Sequence, residues 1–202
     1  MGMETVVRLP GRLIVFEGID GSGKSTQAAL AHKRLIERGT KSILLFEPTR
    51  GEYGAQLRAS FFGPRLSPED ELSLFTLDRK DDLARNIIPA LERGETVILD
   101  RYYFSTAAYQ GARGLDAENI LREQERFAYI PDLVFLIDIP VGTALERIRR
   151  NRSEGANSFE QEAYLTRVRE LFLSFQRDYL HIFHGETPVE ELSAAIVKAI
   201  FF

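Results

Sequence analysis

The chain predicts an α/β fold, a parallel sheet with helices on both faces, and three observations carry that expectation. Runs at 12–17, Ser42–Glu47, Thr96–Asp100 and Leu133–Asp138 are near-continuous Val, Ile, Leu and Phe rather than alternating. Strands covered on both faces read this way. Helical patterns with capping chemistry lie between the runs, which is the order that builds right-handed β–α–β crossovers. A glycine-rich turn, Gly18-Ile19-Asp20-Gly21-Ser22-Gly23-Lys24-Ser25, joins the first run to a helix.

Taken in order, the first run ends at that turn, and the following helix presents Ala28, Ala31 and Leu35 against Lys33, Arg34 and Glu37 before Gly39 stops it. The second run ends at Glu47-Pro48. Ser67-Pro68-Glu69-Asp70 supplies a capping serine, a first-turn proline and acids, so a helix is expected from Ser67 to Arg93. The third run ends at Asp100-Arg101-Tyr102 and the fourth at Asp138, which is read as a cap or turn before Pro140. Ser158 with Gln161 forms a capping box for a helix toward Tyr179. Leu180–Phe183 is a weaker fifth strand, and Thr187-Pro188-Val189-Glu190 opens the last helix.

Composition narrows the function. The 202 residues suit one domain over 1–202, and the 26 basic and 30 acidic residues are mixed rather than blocked. No nucleic-acid footprint and no membrane-surface helix is expected from such mixing. The absence of cysteine excludes disulfides and thiolate zinc sites and is compatible with a reducing cytoplasm. No signal peptide is read at the start, and the apolar runs are too short to span a bilayer. His32, His181 and His184 make no ligand spacing.

The glycine-rich turn carries the chemistry. Between a strand and a helix, such a turn aims backbone N–H groups at one point, where the helix N-terminus adds positive potential. Lys24 would then reach the β- and γ-phosphates of a nucleoside triphosphate, and the Ser25 hydroxyl would complete the shell of a Mg²⁺ ion. Ligands of such sheets gather at the carboxyl ends of the strands. Asp100 is placed there to bind Mg²⁺ through water or to hold a water in its shell, with a helix cap as the plainer alternative, and Arg101 can fork onto phosphate. Phe75 and Arg79 share a helix face. They could hold a planar base, although periodicity alone favours a core Phe75, aligned with Leu72, Leu83 and Ile87, and a solvated Arg79. Arg147, Arg149, Arg150 and Arg152 precede the polar stretch 153–158, read either as a cationic lid over phosphate or as a basic helix end.

Phe16-Glu17-Gly18-Ile19-Asp20-Gly21-Ser22-Gly23-Lys24-Ser25-Thr26-Gln27, then Asp100-Arg101-Tyr102, Ser105 and Ala108-Tyr109-Gln110-Gly111 resemble the thymidylate kinase family. Phe75 to Arg79 resembles its Phe-x-x-x-Arg, and Arg113-Gly114-Leu115 its Arg-Gly-Leu. The resemblance implies the three-layer sandwich of P-loop triphosphatases, with a five-stranded parallel sheet and a short arginine-bearing lid at about 149–158. It implies phosphoryl transfer from ATP to dTMP, with Mg²⁺, in a cytoplasmic homodimer. Gly18 through Thr26, namely Gly18, Ile19, Asp20, Gly21, Ser22, Gly23, Lys24, Ser25 and Thr26, would hold ATP. Phe75 would stack on thymine, and Arg79 and Thr106 would bond its polar edge. Arg101 would hold the acceptor phosphate, with Ser105, Gln110, Glu47 and Pro48 in the same pocket. Tyr109 would lie beneath the deoxyribose, and Asp20 would position the acceptor sugar. The catalytic arginine would come from the lid, as Arg149, Arg150 or Arg152.

Two departures stand out. Phe46 replaces an arginine that the family often places before Glu-Pro, and Asn157-Ser158-Phe159-Glu160 replaces its Asp-Arg-x-Glu. Arg50 or Arg58 is expected to compensate for the first, and Arg150 or Arg152 for the second. Another acceptor, such as dUMP or a ribonucleotide, or an inactive nucleotide-binding relative, are the rival readings. A switch GTPase is disfavoured because Asn-Lys-x-Asp is missing.

Overall fold

The computed structural model describes residues 8–151 and 158–201. β1 (Arg12–Glu17), β2 (Ser42–Phe46), β3 (Thr96–Asp100), β4 (Leu133–Asp138) and β5 (Leu180–His184) form one sheet in the order β2-β3-β1-β4-β5. Every pairing is parallel, as the unbroken apolar runs require. The helices are α1 (Lys24–Glu37), α2 (Glu52–Phe62), α3 (Pro68–Asp82), α4 (Ile88–Glu92), α5 (Tyr103–Gly111), α6 (Ala117–Glu125), α7 (Val141–Asn151), α8 (Ser158–Ser174) and α9 (Val189–Phe201).

Alternate residues of the strands feed two cores. Ile14 and Phe16 join Ile98, Phe135 and Ile137 beneath α1 and α9, where Ala28, Leu35, Leu192 and Ile196 pack. Leu13 and Val15 join Val97, Leu99, Val134 and Leu136 against α4, α5, α6 and α8, through Leu91, Phe104, Leu121 and Phe172. Each such side chain, when fully buried, contributes roughly 1.5–3 kcal/mol. The sheet is therefore the middle of three layers, with its carboxyl edge left for the site.

Three strand ends lie level at that edge. Phe16 and Phe46 both face Asp100 in register. Arg101 N donates to Phe16 O at 2.9 Å, and Glu47 N donates to Asp100 O at 3.0 Å. The loops after β1, β2 and β3 thus leave from one place.

Element ends differ from expectation for local reasons. The single helix expected over Ser67–Arg93 is α3, a π-helical turn at Leu83–Ile87, and α4. Pro89 lacks the N–H that Arg85 O would accept, and the wider turn just before it accommodates the missing bond. Ser67 caps α3 as read, its hydroxyl accepting from Asp70 N at 3.0 Å. The second strand stops at Phe46, one residue short of the expected Glu47, and the Glu47–Pro48 peptide that follows is cis. α8 ends at Ser174 rather than Tyr179, and the tyrosine hydroxyl instead bonds Glu125 at 3.0 Å. Asp138 is neither cap nor turn: its two carboxylate oxygens take Arg169 at 2.6 and 2.8 Å.

Candidate active site

The glycine-rich loop rises from β1 into α1 in the conformation its sequence demands. Gly18 and Gly21 have φ of +142° and +82°. A Cβ on either would sit 2.5 Å from Ile137 O or 2.6 Å from Ala144 O, so only glycine fits. Ser22 is buried within the loop, and Ile19 turns its side chain into the core. Lys24, nearly buried, lies 3.7 Å from the Asp20 carboxylate. Burial lowers its ammonium to about 8, with Arg101 adding to the effect. A cavity of about 800 Å³ opens over this loop, lined by Asp20, Gly21, Ser22, Gly23, Lys24, Ser25 and Thr26 and by Arg147 and Arg150 across it.

Arg101 is the pivot between this loop and the rest of the site. It follows β3 with φ +71°, a left-handed conformation that costs a non-glycine residue about 1–3 kcal/mol. Its guanidinium donates to Asp20 Oδ1 at 2.6 Å and Ser105 Oγ at 2.8 Å, and lies 5.2 Å from the Tyr109 ring centroid. Below it, buried Glu17 ends β1 and accepts from Tyr102 N, Ser105 N and Ser105 Oγ at 2.8, 3.1 and 2.5 Å. Burial raises the Glu17 carboxyl to about 6 against the opposing pull of those bonds and of Arg101. Glu17 was not singled out for any role from the sequence, although an acid closing an apolar strand was the available signal.

A second cavity, of about 430 Å³, adjoins the first and brings together Phe75, Arg79, Arg101, Ser105, Thr106, Tyr109, Gln110, Glu47, Pro48 and Asp20. Arg79 is fully buried rather than solvated. Its Nε and Nη2 donate to Glu47 Oε2 at 3.0 and 2.5 Å, Nη2 also to Thr106 Oγ1 at 3.1 Å, and Nη1 to Gln124 Oε1 at 2.6 Å. Of five guanidinium donors, bonds to described residues occupy four, which fixes the plane and leaves one hydrogen on Nη1. Burial raises the Glu47 carboxyl while Arg79 opposes the rise. Phe75 is not core: it is half-buried and outside the hydrophobic cluster that takes Leu83 and Ile87. Gln110 is buried and donates to Glu71 Oε2 at 3.0 Å. Asp20 N donates to the Tyr109 hydroxyl at 3.1 Å, and both residues line both cavities.

Other candidate cations sit differently from expectation. Arg50 is exposed with its guanidinium 5.4 Å from the Phe46 ring centroid, and Arg58 donates to Pro48 O and Thr49 O at 3.1 and 2.6 Å; neither lines a cavity. Arg147, read as lid, braces the phosphate loop through Gly21 O and Ser22 O, both at 3.3 Å, and Gly185 O at 3.1 Å. Arg150 lines the first cavity and pairs with Glu146, whereas Arg149 is exposed and lines neither. Arg152 and residues 153–157 of the expected lid lie outside the described residues.

For a metal, the arrangement offers little protein coordination. No cluster of three His, Cys, Asp or Glu that could hold an ion exists among the described residues. Asp100 is not a helix cap, since α5 starts without a side-chain cap. Its Oδ1 is buried with no hydrogen-bond partner among the described residues, and its charge is felt at Lys24. The exposed Ser25 hydroxyl lines the first cavity. One carboxylate and one hydroxyl suit Mg²⁺, which keeps water and phosphate as most of its ligands.

A glycine-rich P-loop with a buried lysine, adjoining a second pocket lined by a half-buried phenylalanine and oriented arginines, is the arrangement of a P-loop kinase. The chain belongs to the thymidylate kinase family, whose family model matches residues 16–196. It is 48% identical over 190 residues to the thymidylate kinase of Akkermansia muciniphila, covering 94% of this chain and 91% of that protein. It is 45% identical over 192 residues to the thymidylate kinase of Brachyspira hyodysenteriae, covering 95% and 94%. No helix among the described residues is long and apolar enough to cross a membrane.

Proposed function

We propose that this chain transfers the γ-phosphoryl group of ATP to the 5′-phosphate of dTMP, giving ADP and dTDP. The observation that carries the reading is the pair of adjoining cavities of about 800 and 430 Å³, one built on the phosphate loop and the other on Phe75, Arg79 and Arg101. Both fall within the size range of small-molecule sites.

An oxygen of the acceptor phosphate attacks the γ-phosphorus as the bond to the β–γ bridging oxygen breaks, and the electron pair leaves on ADP. That acceptor oxygen is already anionic at neutral pH, so no general base is needed. Positioning and charge neutralisation are what remain. Lys24 supplies charge to the β- and γ-phosphates, and the loop N–H groups hold them. Arg101, held by Asp20 and Ser105, presents its fork to the acceptor phosphate. Asp100 and Ser25 would hold Mg²⁺, which when bound screens the β/γ charge.

The acceptor base fits between Phe75 and the polar edge offered by Arg79 Nη1 and Thr106. Tyr109 supports the sugar, where a ribose 2′-hydroxyl would crowd the ring. Of the lid arginines, Arg150 is favoured as the catalytic cation because it already lines the donor cavity. A cytoplasmic homodimer completes the reading. Light scattering after gel filtration tests the dimer.

Phosphorus NMR of protein mixed with ATP, Mg²⁺ and dTMP tests the function: equal amounts of dTDP and ADP are expected. Hydrolysis of ATP without dTDP would contradict it. Lys24→Ala should abolish turnover while the far-ultraviolet dichroism stays unchanged.

A further inference from the structure

Arg65 occupies the turn between α2 and α3, a stretch with no recognisable motif. Four residues line both cavities: Asp20, Arg65, Tyr109 and Tyr164. Among the described residues Arg65 is the one cation shared by the two. Lys24, Arg147 and Arg150 line the donor side alone, and Arg79 and Arg101 the acceptor side alone.

Its support is built from below. Arg65 Nε donates to Glu71 Oε1 at 3.0 Å, and Glu71 is fully buried. The same carboxylate takes Arg113 Nη1 at 2.6 Å and Gln110 Nε2 at 3.0 Å, which ties it to the acceptor pocket floor. Tyr164 of α8, which interacts electrostatically with the guanidinium, donates its hydroxyl to Tyr109 O at 3.1 Å. Arg65 is thus fixed from α3 through Glu71, and it shares the lining of the junction with Tyr164 of α8.

Charge counting separates the two arginines on Glu71. One carboxylate faces two guanidinium groups, so the trio keeps one net positive charge. Arg113 is spent on Glu71, Gln110 and Leu66 O, with a side chain only 16% exposed. Arg65, with a side chain 50% exposed, carries the surplus toward the shared space. A guanidinium held at Nε keeps its terminal amino groups for phosphate oxygens.

Resting on the two-nucleotide reading above, we propose that Arg65 contacts the phosphates of both nucleotides where the two cavities meet, and stabilises the charge that passes between them. A purely structural staple between turn and α3 would serve stability alone. A contact at the junction serves the transition state and any ligand that spans it.

The test compares wild-type protein with Arg65→Gln and Arg65→Lys. It measures binding of dTMP, of ATP-Mg²⁺ and of adenosine joined 5′-to-5′ to thymidine by a polyphosphate chain, together with kcat and melting temperature. For Arg65→Gln, kcat and affinity for the joined compound should each fall at least about tenfold, with affinity for each single nucleotide changing less than about threefold. Arg65→Lys should recover part of the loss as a point charge. A lower melting temperature with unchanged kcat and unchanged affinity for the joined compound would reduce Arg65 to a staple. A loss confined to one single nucleotide would reduce it to a residue of that cavity. Either result overturns the proposal alone, whereas wild-type protein that binds neither dTMP nor ATP overturns the underlying reading with it.

Discussion

Arg101 and Asp20 are joined at 2.6 Å between the end of β3 and the glycine-rich loop after β1, so the cation proposed to face the acceptor is anchored on the loop proposed to hold the donor. In the proposed reading, misplacing either end would move both nucleotides relative to each other. Arg101 is also the described non-glycine residue with positive φ, a strain that the site maintains. Arg101→Ala and Arg101→Gly should both lower kcat/KM for dTMP about 10²- to 10³-fold. The glycine variant should nevertheless melt above the alanine variant, because it relieves the left-handed backbone. Equal melting temperatures would show that the strain is not felt.

Lys24 sets a pH dependence. Burial depresses its folded-state pKa from 10.5 to about 8. Stability from this group is therefore present above pH 10.5 and lost as pH falls through about 8, so a charged Lys24 weakens the nucleotide-free fold at neutral pH. Bound phosphates raise the pKa again. Calorimetry at pH 8–9 in buffers of different ionisation enthalpy should detect proton uptake on ATP binding. Lys24→Met should abolish that uptake and melt above wild type at pH 7.

The buried Glu47–Arg79 pair should respond asymmetrically. Removing Arg79 leaves a carboxyl that burial already pushes toward its protonated form. Removing Glu47 strands a guanidinium that cannot lose its proton. Glu47→Ala is expected to cost about 3–5 kcal/mol and Arg79→Ala less, by urea denaturation at pH 7. The reverse order would contradict this account of the pair.

Phe75 separates binding from folding. Because it lies outside the hydrophobic cluster, Phe75→Ala should cost less than about 1 kcal/mol of stability yet raise the dTMP KM by tenfold or more. Ile87→Ala, about three turns further along the same helical stretch and fully buried, should do the opposite, at about 2–5 kcal/mol.

What could be read from the sequence depended on how local the signal was. The strands and the phosphate loop were legible because buried parallel strands need continuous apolar runs, and the loop needs glycine at Gly18 and Gly21. Arg79 read as solvated by periodicity because its partner, Glu47, lies 32 residues away on another element. Arg147 was seen as part of a basic run, but its grip on the carbonyls of the phosphate loop depends on how α7 packs. Arg65, Glu71 and Tyr164 carried no local signal, since a polar turn and two helix faces meet only once the chain folds. The π-helical turn at Leu83–Ile87 hid the burial pattern that distinguishes Phe75 from Ile87.

The central claim is most directly tested by steady-state kcat/KM with ATP-Mg²⁺ against dTMP, dUMP, UMP, CMP, AMP and thymidine. One methyl distinguishes thymine from uracil, so dTMP should exceed dUMP by roughly 10- to 200-fold. If Tyr109 crowds a ribose and Arg101 holds the acceptor phosphate as proposed, ribonucleotides and thymidine should be poorer acceptors still. Any acceptor that surpasses dTMP would contradict the account.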